Sequence, residues 1–435
     1  MVDTVSGVST FRHPGTVLTD HLFAVPLDHS RPDGEQIEVF AREVVATDKS
    51  DADLPWLLFL QGGPGFPAQR PVGRQAWLDR ALRDYRVLLL DQRGTGRSSR
   101  ITARSLAAHG DARAQADYLA LFRADSIVGD AEVIRRQLTG GEPWSVLGQS
   151  FGGFCTVTYL SFAPDGLREA FLTGGLPGLS AHPEDVYRTT YPIVAARNAA
   201  HYERYPEDVA LVRRIAERLA TGDERLPDGS PLTLEAFQAI GGLLGQSDGS
   251  HELHYLVENA FDTDGGLADE FGHALLPRVS FTGGPLYALL HEACYGQGRA
   301  TRWAAHRVRA EFPAFDGRAA LEAGGPVLFT GEMIYPWMVT RDPVLVPLRE
   351  TAELVAGRED WPPLYDPARL AANQVPAAAA VYYQDMYVPR VLSEPTAAAV
   401  KGLRAWVTSE YEHDGLRTSK GRVLDRLIDM VRGEA

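Results

Sequence analysis

The chain has 435 residues, 45% hydrophobic and 23% charged, the balance of a globular protein, and no apolar run approaches the length of a membrane span. Its 57 acidic side chains outnumber 43 Lys and Arg for a net charge of -14, which argues against a nucleic-acid partner and favours neutral or cationic ligands. Two cysteines, Cys155 and Cys294, are too few for a disulfide scaffold and lack metal-ligand spacing, so free thiols are expected and neither a metal nor another cofactor is.

Met1 to Asp20 is polar and has no apolar stretch behind a basic start, so no secretory signal is expected and a cytoplasmic location follows by default. A turn-rich segment, Asp28 to Gly34, precedes Gln36–Val45, whose alternation predicts a strand closing an opening hairpin. Trp56–Leu60 is continuously apolar, as a strand covered on both faces must be, and it runs into Gln61-Gly62-Gly63-Pro64-Gly65. Such a glycine-rich loop leaves backbone N–H groups free to receive an oxyanion. Tyr85–Leu90 predicts another strand, followed by Asp91-Gln92-Arg93-Gly94-Thr95-Gly96-Arg97-Ser98. That loop lacks the third glycine and the lysine of a phosphate site and is read as a turn braced by Asp91 and the arginines. Ile127, Ala131, Ile134 and Leu138 recur at helical spacing and predict a crossover helix, after which Trp144–Gly148 and Leu167–Leu176 predict two further strands.

The alternation of strands and helices predicts a mostly parallel, doubly wound α/β sheet. From 177 to 374 the pattern turns helical, charged and aromatic, as expected for a mainly helical cap inserted between two parts of the core, 1–176 and 375–435. Val375–Tyr383 and Leu403–Thr408 predict the last strands. Val423, Leu427, Met430 and Val431 predict a terminal helix on the sheet's flank.

Ser150 lies in Gly148-Gln149-Ser150-Phe151-Gly152, between a predicted strand and a predicted helix, where small neighbours let the chain fold back and lift the serine hydroxyl to the sheet's end. The five-residue pattern alone is weak, and Gly245-Gln246-Ser247-Asp248-Gly249 repeats it in a polar stretch that no strand feeds, so Ser247 is read as a loop residue. A serine nucleophile needs a neutral imidazole to take its proton and a carboxylate to fix the imidazole tautomer. The expected chain order is serine, acid, histidine, with the last two in loops after late strands. Asp385 and His413 meet those conditions; Asp366 precedes its strand, and Asp414 adjoins the histidine itself. Cys155, on the helix under the serine, is read as a small core residue.

Gly62-Gly63-Pro64-Gly65, Asp91-Gln92-Arg93-Gly94-Thr95-Gly96-Arg97-Ser98 and Gly148-Gln149-Ser150-Phe151-Gly152-Gly153, in that order, resemble the proline iminopeptidases of the α/β-hydrolase superfamily, and the Asp385 and His413 loops do so more loosely. The chain departs from the family in having Gln61 where histidine is common. The resemblance implies an α/β-hydrolase fold and release of N-terminal proline from peptides through an acyl-enzyme on Ser150, with the amides of Gly63 and Phe151 holding the oxyanion. It also implies cap glutamates that bind the free amino terminus of the peptide partner. Glu292 and Glu332 match best, with Tyr295, Tyr335 and Trp337 as candidates for an apolar slot around the proline ring. The rival readings are an esterase, a lactonase or a broader di- or tripeptidyl aminopeptidase on the same scaffold, and a binding module that keeps the fold without the chemistry. No membrane partner is expected, and oligomeric state is left open.

Overall fold

Side chains of alternate residues on a strand point to opposite faces, so a strand buried on both sides must be apolar throughout. In the computed structural model of the protein, which describes residues 9–74, 76–222 and 224–434, the uninterrupted apolar runs form the middle of one sheet. In chain order the strands are β1 (Ser9–His13), β2 (Thr16–Pro26), β3 (Gln36–Ala46), β4 (Trp56–Leu60), β5 (Arg86–Leu90), β6 (Trp144–Gln149), β7 (Leu167–Thr173), β8 (Ala377–Tyr382) and β9 (Leu403–Thr408). They lie side by side in the order β1-β2-β3-β5-β4-β6-β7-β8-β9. Pairing is antiparallel from β1 through β3 to β5 and parallel from β5 to β9.

The register sorts the two faces. Leu88, Leu58, Val146, Ala170 and Ala377 stand abreast and enter one apolar cluster. Their successors Leu89, Phe59, Leu147, Phe171 and Ala378 enter the other. The first cluster holds the crossover helix Ala124–Thr139 and the helix Phe151–Phe162. The second is closed by the terminal helix Arg422–Arg432, which buries Val423, Leu424, Leu427, Ile428 and Met430 along one side.

The opening hairpin has β2 and β3 as arms, and β1 adds a third strand that the polar lead did not announce. Its polar residues are paired, buried Asp20 with half-buried Arg42 and buried His21 with buried Glu43, so the sequence shows polarity where the fold has a largely buried ladder. Arg93 of the loop after β5 does not brace Asp91. It is fully buried against Asp130 of the crossover helix and donates to the carbonyls of Leu27 and Leu121, while Asp91 takes Arg70 and the amide of Arg97.

Between β7 and β8, among the described residues, the chain forms helices, short 3₁₀ turns and two isolated bridges. Its apolar side chains join the first cluster without a break. Arg123, buried just ahead of the crossover helix, reaches into this segment and donates to the carbonyls of Ala293, Gly296 and Pro362. No described helix is long and apolar enough to cross a membrane. Cys155 and Cys294 are buried free thiols.

Candidate active site

β6 ends at Gln149, and Ser150 takes φ 54° and ψ -123° before the helix Phe151–Phe162 begins. A non-glycine residue in that region is strained, and the strain lifts its side chain out of the strand-to-helix turn. The helix can approach the sheet only because position 152 lacks a side chain: a Cβ there would lie 1.9 Å from the Leu60 carbonyl oxygen. Position 62 is under the same pressure, since a Cβ on it would sit 3.0 Å from the Ser150 Cβ.

The hydroxyl of Ser150 opens onto a cleft of about 430 Å³ lined by Gly62, Gly63, Tyr287, Glu332, Tyr387 and His413 among others. The first turn of a helix leaves amides unpaired, and the amides of Phe151 and Gly63 donate to no acceptor among the described residues. The Gln61 carbonyl is held by the side chain of Gln92, which ties the glycine-rich loop to the loop after β5.

His413 follows β9, and its Nδ1 lies 2.7 Å from Asp385 Oδ2. Asp385, buried after β8, accepts the amides of Tyr387 and Val388 on Oδ1, at 2.8 and 3.0 Å, so its carboxylate cannot rotate freely. Burial of the imidazole works against its charged form, but the Asp385 carboxylate outweighs it and His413 titrates above the ordinary histidine value. Among the described residues no hydrogen bond joins Ser150 Oγ to the imidazole; the two groups share the cleft wall. Such links are often loose before substrate arrives.

The other carboxylates considered from sequence have other partners. Asp366 caps the helix Pro367–Ala371, and Asp414 accepts from Ser247 Oγ and Arg417. Ser247 lies between a 3₁₀ turn and a helix, as its lack of a feeding strand implied.

The two glutamates part company. Glu332 lines the cleft and accepts a hydrogen bond from Tyr287 Oη at 2.8 Å. Glu292 does not line it: its oxygens accept the amides of Ala304 and Ala305, each at 2.9 Å, at the start of the helix Ala304–Arg309. Burial pushes Glu292 up to about 7 despite those amides. Of the three aromatics, Tyr335 is buried with its hydroxyl against Tyr191 Oη at 2.9 Å, and Trp337 lines a separate cavity of about 30 Å³ with Phe281 and Arg341. Tyr295 packs among Phe154, Tyr187 and His291. The cleft's aromatic walls are instead Tyr287, Tyr387, Phe66 and Trp77, with the Tyr387 ring centroid 4.5 Å from that of His413.

Sequence reasoning also missed Arg197, on the helix Pro183–Arg204. It donates to the Leu244 carbonyl at 2.9 Å and to Gln384 Oε1 at 3.0 Å, and pairs with Glu412 at 2.7 Å. Gln384 and Glu412 immediately precede Asp385 and His413. No group of three His, Cys, Asp or Glu side chains converges as a metal site among the described residues.

A family model described as alpha/beta hydrolase fold matches residues 55–216. A proline iminopeptidase of Aeromonas sobria is 50% identical over 417 residues, 95% of this chain and 96% of that protein. Proline iminopeptidase aneH of Aspergillus aculeatus is 39% identical over 437 residues, 97% of this chain and 96% of the other. Among solved structures, a thermophilic esterase from Thermogutta terrifontis is 15% identical with a TM-score of 0.43, covering 92% of this chain and 94% of its own. With such identity over nearly its whole length, the chain belongs to the proline iminopeptidase family of α/β hydrolases.

Proposed function

We propose that the protein is a serine exopeptidase that releases N-terminal proline from peptides, with Ser150 as nucleophile, His413 as general base and then acid, and Asp385 as the carboxylate that fixes the imidazole. The observation that carries the reading is the 2.7 Å contact of Asp385 with His413 on a cleft that also holds Ser150 and the acid Glu332. The names of the two relatives supply the substrate class. The helical segment 177–374 serves as the cap that carries Glu332.

A peptide enters with its charged amino terminus against Glu332, and the proline ring meets Tyr287 and Phe66. His413 Nε2 takes the hydroxyl proton as Ser150 Oγ bonds to the proline carbonyl carbon. The amides of Gly63 and Phe151 receive the oxyanion, whose charge they stabilise more than that of the ground-state carbonyl. The imidazolium then gives its proton to the departing amine, the C–N bond breaks, and proline remains as an ester on Ser150. Water, deprotonated by the same imidazole, attacks that ester, frees proline and returns the proton to Ser150.

The test is hydrolysis of prolyl arylamide beside its N-acetylated form and a simple ester. Rapid cleavage of the free amine alone, abolished in Ser150→Ala, is the expected result. Equal cleavage of the blocked substrate would leave a serine hydrolase and remove the exopeptidase.

A further inference from the structure

The acyl side of the cleft accounts for the substrate's positive end; a short peptide also carries a negative one. Departure of the leaving group is fixed by chemistry, because the amine that His413 protonates must lie beside the imidazole, and the rest of the leaving peptide extends from there. Four residues past His413, on the short helix Gly415–Thr418, stands Arg417. It is the only Lys or Arg among the described residues that line the cleft, in a protein whose net charge is -14.

Its guanidinium is placed but not spent. One edge donates to Asp414 Oδ2, and Asp414 is itself held by the hydroxyl and amide of Ser247, at 2.6 and 3.2 Å. Among the described residues no other hydrogen bond engages the side chain, which is 52% exposed. The remaining N–H groups form the planar fork that matches a carboxylate. A leaving group of one or two residues carries its carboxylate about 4 to 7 Å beyond the amine, and Arg417 lines the same cleft as His413.

We infer that Arg417 binds the C-terminal carboxylate of the leaving fragment, so that short peptides with a free C-terminus are the preferred substrate class. The inference rests on the exopeptidase reading above, and it assigns the leaving side what Glu332 is to the acyl side. Longer peptides carry that carboxylate past Arg417 and gain nothing from it.

The experiment compares kcat/KM for Pro-Gly, Pro-Gly amide and prolyl arylamide in wild type, Arg417→Met and Arg417→Lys. In wild type Pro-Gly is expected to exceed its amide by about fivefold, a margin that shrinks as ionic strength rises, as an exposed charge pair requires. Arg417→Met removes the margin and Arg417→Lys keeps part of it. Loss of Arg417 also frees Asp414 beside His413, and that effect falls on all three substrates alike. Equal rates on Pro-Gly and its amide in wild type, or an unchanged margin in Arg417→Met, overturns the assignment while leaving the exopeptidase intact. Failure of wild type on all three prolyl substrates overturns both.

Discussion

Asp385 shows how one side chain can set the protonation of another. Its Oδ1 is occupied by two backbone amides and its Oδ2 by the imidazole. In Asp385→Asn the carbonyl oxygen stays on the amides, which turns the NH₂ toward Nδ1 of His413. The ring then carries its proton on Nε2, the nitrogen that must accept one from Ser150, and kcat is expected to fall about 10⁴-fold with KM little changed. In the proposed mechanism the neutral ring is the base, and the carboxylate raises its pKa above the ordinary histidine value of 6.5. The acid limb of the kcat/KM profile should therefore bend above pH 6.5; a bend below it contradicts the pairing. The two glutamates make opposite predictions. Glu332→Gln should raise KM for free-amine substrates about tenfold or more, as loss of a charge-assisted contact does. Glu292→Gln should leave KM alone and cost about 1–3 kcal/mol of stability in a denaturant titration, because each Glu292 oxygen takes one helix N–H and glutamine puts an NH₂ donor in place of one of those acceptors. Sequence could not separate these acids: both sit among aromatic neighbours, and what distinguishes Glu292 is a helix start some ten residues later turning its amides back upon it. Tyr335 and Trp337 misled for a similar reason, since a ring packed in a core and a ring walling a cleft have the same sequence surroundings.

The elements whose burial is simple were the ones legible in the sequence. β4, β5, β6 and β8 are covered on both faces and read as apolar runs, and the elbow could be placed because a strand, a small-residue turn and a helix coincide at Ser150. β2 was not legible, since its buried Asp20 and His21 are paid for by partners on β3 that only the register reveals. Arg197 belongs to the same class of contact, joining elements remote in the chain. By holding Gln384, Glu412 and the Leu244 carbonyl it fastens the helix Pro183–Arg204 to the loops of both Asp385 and His413. Arg197→Ala is expected to lower kcat by about 10- to 100-fold through displaced loops while KM for prolyl arylamide holds. A rise in KM at constant kcat would mean that the contact shapes the cleft and not the triad.

Across the whole molecule, the helical segment is bound to the sheet from beneath as well as at the cleft. Arg123 serves three of its carbonyls, with the Asp125 carboxylate 4.0 Å away, so Arg123→Met strands several buried acceptors and should cost about 3 kcal/mol or more by denaturant titration. The order of the strands has a further consequence, for synthesis. β7 pairs with β8, yet residues 174–376 separate them in the chain. During synthesis β7 emerges with one edge open and keeps it open until residues 174–376 have followed it. Until β8 arrives, that edge is open to pairing with a neighbouring nascent chain on a polysome, and the long segment between the two strands sets how long the exposure lasts.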